Sequence, residues 1–292
     1  MRRLLHLGVV ICLVGWLAWR YGAVTLPFGA VTSQTPNPED GKVSNATYTN
    51  RYFGLSYPLP QGWTVGEIGP DPSRSGYYVL GTFVPKSELT GTILVTAQDM
   101  FFADKPHGDA ASAAKDFRQA ISEVDGMTID RELLEVRIAD RLVQRVDFSG
   151  VGLYRAMLVA EIRCHLVSFN LTARDPELLA RLALSLDNLS FAAERDLVSS
   201  VPTCVKNYAV GNNLLSRIEP VIAGPIAAPI PVRIVIGTDG GVKHVHVIRA
   251  TAEQRRGIGD ALRQWKFRPY EIGERAVEIE TDLIFQSRSR EM

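Results

Sequence analysis

This 292-residue sequence is short of the signatures that usually disclose an activity. It holds no Gly-x-Ser-x-Gly, no P-loop and no His-Glu-x-x-His, and Gly150-x-Gly152 lacks the third glycine of a dinucleotide fingerprint. Its carboxylates are scattered without an evident close pair. Charge of one sign is not in excess either: 32 Lys and Arg balance 32 Asp and Glu, with a mildly acidic middle and a mildly basic end. Nucleic-acid recognition needs a concentrated basic face, so that class is set aside. Only three cysteines occur. Cys12 lies in an apolar N-terminal run and follows Ile11, too large for the small residue that lipoprotein processing requires. Cys164 and Cys204 remain, and although an oxidising compartment permits a bond between them, two separate thiols is the expectation.

The few residues able to carry chemistry are weak candidates. His244 and His246 stand two apart on one strand face, a metal-capable spacing, but no third ligand is near in sequence, and the face reads as solvent-exposed. Cys164-His165 are adjacent strand residues pointing to opposite sides, unsuited to act as nucleophile and base. His107 sits in a polar loop beside Gly108. No enzyme activity, cofactor or metal site is therefore expected, and a hydrolase using His107 or His165 is the remote alternative.

What is present is organisation. The length suits two domains, and 46% hydrophobic with 22% charged residues is ordinary for folded protein. Met1-Arg2-Arg3 followed by an apolar run, Leu4 to Trp19, and bulky Trp16, Trp19 and Tyr21 predict a retained single-pass inner-membrane anchor over residues 1–28, spanning 4–28. Cytoplasmic Arg2 and Arg3 would leave the rest in the periplasm. A cleaved signal peptide and secretion to the periplasm is the alternative. Residues 29–49, with Pro36, Pro38 and Gly41 among Ser, Thr and Asn, read as a linker.

Residues 50–193 read as an antiparallel sheet with helices. Strands are expected near 52–57, 63–65, 77–84, 92–97, 136–138, 142–148, 153–159 and 166–171. Helices are expected after Asp109, with Ala113, Phe117, Ile121 and Val124 on one face, and after Asp175-Pro176. The opening Tyr52-Phe53-Gly54-Leu55-Ser56-Tyr57-Pro58-Leu59-Pro60-Gln61-Gly62-Trp63 resembles the start of PsbP-like domains, and the element order through Phe191 agrees. That resemblance implies a fold and an accessory or binding role, not a chemistry.

Residues 200–288 form a second expected domain. Pro231 to Ile236 alternates, Asp239-Gly240 turns the chain, and Val242, Val245 and Val247 mark the returning strand. Thr251-Ala252-Glu253-Gln254 is a capping box, Pro269 ends the helix region, and Ala276 to Phe285 alternates as a last strand. Pro220, the Asp239-Gly240 hairpin, Trp265-x-Phe267-x-Pro269 and Gly273, in this order, resemble the TonB C-terminal domain over residues 213–286. Trp265 and Phe267 are expected in the core.

The TonB resemblance implies partner capture by strand addition at an edge, here Val277, Glu278, Ile279, Glu280, Thr281, Asp282 and Leu283, with Glu278, Glu280 and Asp282 facing outward. An outer-membrane TonB-dependent transporter is the implied partner. Energy transduction does not follow, because no long Pro-rich spacer is present and His6 has Arg2, not Ser, one helical turn before it. The whole chain is thus expected to be α+β: a membrane helix, a PsbP-like domain and a small TonB-like sheet plus helix. A non-transducing accessory or scaffold protein, with the edge strand occupied internally or by a second copy in a homodimer, is the alternative.

Overall fold

The computed structural model describes residues 36–67, 69–103, 109–192 and 202–286. The expected anchor at 4–28, Cys12, His107 and the first part of the linker lie outside them. Among the described residues no helix is long and apolar enough to cross a membrane. From Pro36 onward the chain forms one compact unit, within which two lobes are distinguishable.

The first lobe comprises β1 (Gly41–Ser44), β2 (Thr47–Asn50), β3 (Leu55–Pro58), β4 (Trp63–Val65), β5 (Tyr77–Pro85), β6 (Gly91–Asp99), α1 (Ala110–Ser122), β7 (Met127–Ile129), β8 (Leu134–Ile138), β9 (Arg141–Gly150), β10 (Leu153–Ile162), β11 (His165–Ala173), α2 (Pro176–Ser185) and β12 (Ser190–Phe191). The main sheet runs β4-β5-β6-β11-β10-β9-β7, with β8 also paired to β9, and its neighbours are antiparallel. Strand alternation fills both of its faces. On β10, Ala156, Leu158 and Ala160 join the larger core with α2 and the β1-β2-β3-β12 sheet. Met157 and Val159 point the other way, into a smaller core under α1 with Ala113 and Ala114.

Both helices start as their sequences dictate. Asp109 and Ser112 form a reciprocal capping box, and Asp175 caps α2 with Pro176 in the first turn. Hairpin turns in this lobe are tight: Asn45-Ala46, Ala139-Asp140, Val151-Gly152 and Arg163-Cys164 all hold both central residues at positive φ, matching the right-handed twist of the flanking strands. The linker expected at 29–49 is corrected, since residues 41–50 are a hairpin paired with β3. Val43 and Tyr48 are its only large apolar residues, and its support is tertiary: Tyr48 is 2% exposed and donates to the Leu80 carbonyl at 3.2 Å.

The second lobe comprises β13 (Thr203–Cys204), β14 (Leu214–Ser216), β15 (Ile230–Ile236), β16 (Val242–Val247), α3 (Ala252–Leu262), β17 (Lys266–Phe267), β18 (Tyr270–Ile272), β19 (Arg275–Val277) and β20 (Ile279–Phe285). Its main sheet has the order β13-β20-β15-β16. Val232, Ile234, Ile236, Ile279 and Leu283 face α3 and pack with Ile258, Leu262, Trp265 and Phe267. Trp265 is 3% exposed and donates its indole N–H to the Ile218 carbonyl at 2.7 Å. The Thr251–Gln254 capping box is formed.

Candidate functional site

The sheet of the second lobe has a second face, and it carries the polar residues. Arg233 lies opposite Asp282 on β20 and His246 on β16, while Val235 lies opposite Glu280 and His244. The face lies against the first lobe instead of water. Glu278, Glu280 and Asp282 are 8%, 0% and 7% exposed, and Arg233 is 2% exposed.

The centre of this contact is a charge network. Arg233 Nε donates to Asp99 Oδ2 at 2.7 Å, and its Nη1 donates to the Tyr52 hydroxyl. Tyr52 in turn donates to Glu280 Oε1 at 3.1 Å. Arg163 reaches the same carboxylate oxygen at 3.5 Å and donates to the Tyr52 backbone carbonyl at 2.6 Å. Its guanidinium also sits 4.2 Å over the Tyr52 ring. Arg233 and Arg163 thus oppose Asp99 and Glu280, so the ionised network is neutral. Burial pushes the Asp99 and Glu280 carboxyls up, against the pull of Arg233. For Arg233, burial opposes the charge, but the Asp99 and Glu280 carboxylates beside it outweigh that and hold the guanidinium protonated. Lys243 pairs with Glu278 at the margin.

The geometry assumed for residues 277–283 is corrected on two counts. First, β20 is not an outer strand over its first half: β13 pairs with it in parallel at Ile279 and Glu280, with Thr203 N donating to Glu278 O and Val205 N to Glu280 O, both at 2.9 Å. Further along, Asn207 N donates to the Asp282 side chain at 2.7 Å and Tyr208 N to the Thr281 hydroxyl at 3.0 Å. Second, the charges expected in solvent are buried: Glu280 against Tyr52 and Arg163 of the other lobe, Glu278 beside Lys243 and Asp282 under Asn207. Val277, Ile279 and Leu283 belong to the α3 core. The expectation for the cysteines is corrected as well. Cys164 and Cys204 are bonded, with their Cα atoms 5.6 Å apart, which ties the β10–β11 turn of the first lobe to β13 of the second.

The histidines are placed differently from their sequence reading. His246 is 8% exposed, its Nδ1 is 2.8 Å from Asn37 Oδ1 and its Nε2 is 3.6 Å from Glu39 Oε2. His244 is half-buried, and among the described residues no cluster suited to a metal ion occurs. His165 Nδ1 lies 2.6 Å from the Arg163 carbonyl, so that nitrogen carries the proton, and Nε2 stands 3.5 Å from Asp99. Burial, reinforced by Arg233, pushes this imidazole well below its usual value. His165 and Asp99 are both 0% exposed. An imidazole and a carboxylate do meet here, both fully buried.

Sequence reasoning passed over Asp99, Tyr52, Arg163 and Arg233. Arg233 could have been found, as a lone charge inside Val232-Arg233-Ile234-Val235-Ile236.

No protein-family model matches this chain, and no curated protein does. The resemblance of residues 213–286 to the TonB C-terminal domain therefore rests on its motifs and element order alone. Solved structures do match. A cyanobacterial PsbP from Synechocystis sp. PCC 6803 is similar at 15% identity and a TM-score of 0.38, over 52% of this chain and 96% of that one. LpqN of Mycobacterium tuberculosis, described as involved in cell envelope biogenesis, is similar at 15% identity and a TM-score of 0.34, over 48% of this chain and 83% of that one. Neither similarity bears on what this chain does.

Proposed function

We propose that this is a non-transducing accessory protein of the cell envelope, held at the inner membrane through residues 4–28, in which a TonB-like module is fastened to a PsbP-like one. Its strand Val277–Leu283 serves the protein's own architecture and does not receive a transporter peptide. The observation that carries this reading is the burial of Glu280 between Tyr52 and Arg163 of the first lobe. Strand addition along residues 277–280 would have to displace β13, which the Cys164–Cys204 bond holds in place. That bond also fits an oxidising, extracytoplasmic compartment. Strand capture of a TonB-dependent transporter gains affinity from an open backbone edge, and here that edge is taken over its first half.

The test is cross-linking in cells from cysteines introduced singly at positions 277–283 in the full chain. The expected outcome is intramolecular adducts only. Capture of the N-terminal peptide of an outer-membrane transporter would defeat the proposal.

A further inference from the structure

The Cys164–Cys204 bond has two unlike ends. Cys164, in the β10–β11 turn, is 1% exposed. Cys204 is exposed, as is Thr203, the other residue of β13. In thiol–disulfide exchange a thiolate attacks one sulfur of the bridge, and access decides which of the two it reaches. Cys204 offers that access and Cys164 does not.

Apart from the bridge, β13 is lightly held. It pairs with β20 at two residues, and Thr203 N and Val205 N donate to the Glu278 and Glu280 carbonyls, both at 2.9 Å. Its own side chains add no burial; Pro202 before it is buried, and Val205 after it packs in part against the α3 core. Segments with so few buried apolar contacts open locally while the rest of a protein stays folded. The chain just beyond is fixed by other means. Asn207 N and Tyr208 N donate to the Asp282 and Thr281 side chains, and the Tyr208 hydroxyl donates to the Arg268 carbonyl at 2.7 Å. The lobes have joints of their own in the Arg233–Asp99 and Arg163–Glu280 pairs and the Tyr52–Glu280 hydrogen bond. None of these contacts needs the sulfur bridge.

We propose that the disulfide is a redox-sensitive latch on the β20 edge: a dithiol reductant opens it through Cys204, and β13 then leaves β20 while the two lobes stay joined. One thiolate of the reductant attacks Cys204 Sγ and expels the Cys164 sulfur as a thiolate, which takes up a proton. The second thiolate of the reductant displaces the Cys204 sulfur from the mixed disulfide. Two cysteine thiols result, holding the two protons the reductant gave up, and the reductant leaves as its own disulfide. With β13 gone, the Glu278 and Glu280 carbonyls lose their partners, and the backbone edge that strand addition requires is bare. The inference goes beyond the proposed function, which describes the oxidised protein. It concerns the bridge and β13 alone, so it stands whether or not the chain is anchored in a membrane.

The test is amide hydrogen exchange on the full chain in detergent, oxidised and after treatment with dithiothreitol. Reduction is expected to speed exchange at Thr203 and Val205 by at least about tenfold, to completion while Tyr208 and the amides of β15 are still protected. Cys204→Ser should show the same pattern with no reductant present. Brief exposure of the oxidised protein to glutathione, followed by acid quenching and peptide mass mapping, is expected to find the mixed disulfide on Cys204. Thr203 and Val205 as protected in the reduced protein and in Cys204→Ser as in the oxidised one overturn the proposal. So does simultaneous loss of protection in β13 and β15, which would make the bridge a stabiliser of the whole fold and not a latch. Glutathione found on Cys164 overturns the route of attack.

Discussion

Arg233 has wholly apolar neighbours on its strand, Val232 and Ile234 at 0% exposure, and yet its guanidinium is buried beside Asp99 and Tyr52. A buried ion pair adds little net stability over an apolar pair, but breaking one side leaves an uncompensated charge, at about 3–5 kcal/mol. Arg233→Met is therefore expected to lower the unfolding free energy by about that amount, and the double variant Arg233→Met, Asp99→Asn to recover much of the loss. Urea unfolding of the two proteins checks this, and simple additivity of the two substitutions would contradict the pairing. Arg233 was legible as an anomaly, a charge in an otherwise apolar strand. Its partners were not, because Asp99 and Tyr52 are separated from it by 134 and 181 residues and no local pattern connects them. The outward reading of Glu278, Glu280 and Asp282 failed for a related reason. Alternation assigns side chains to two faces, but it does not say whether the polar face meets water or another lobe.

The elements with strong local signals were legible: three capped helices, the Asp239-Gly240 hairpin and the long strands of both sheets. Those with weak ones were not. The β1–β2 hairpin has little apolar content, and β13 is two residues long, so neither carries a period. The β10–β11 turn illustrates how such pieces are fixed by contacts. Arg163 and Cys164 sit at φ 50° and 58°, a left-handed conformation that costs a residue with a Cβ. Both residues are used across the lobes, Arg163 toward Glu280 and Cys164 toward Cys204. The covalent link closes a loop with a sequence separation of 40, for which the chain-entropy model gives about 4 kcal/mol. Replacing both cysteines by serine is expected to cost about that much in urea unfolding, and a reductant should bring the wild-type protein to the same midpoint. A wild-type midpoint indifferent to reductant would show that the thiols are separate.

At the scale of the whole molecule the buried imidazoles make stability depend on pH. His165 and His246 are held well below 6.5, chiefly by burial. The unfolded chain therefore takes up protons near pH 6.5 that the folded one refuses, and stability falls as pH falls from about 7.5 to 5.5. Each group contributes up to about 1.4 kcal/mol per pH unit. Asp99, Glu280 and Glu39, raised in the folded state, act oppositely: their contribution is present at low pH and is lost as pH rises through their folded values. His246→Gln isolates one imidazole and is expected to flatten the loss between pH 7.5 and 5.5 by up to about 1.4 kcal/mol per unit. Urea midpoints at the two pH values measure it, and an unaltered slope would mean that His246 is not held neutral. The disulfide has a further effect at this scale. Because Cys164 belongs to one lobe and Cys204 to the other, a single proteolytic nick anywhere in the backbone between them would leave the halves tethered, turning the protein into a two-chain molecule without releasing a fragment.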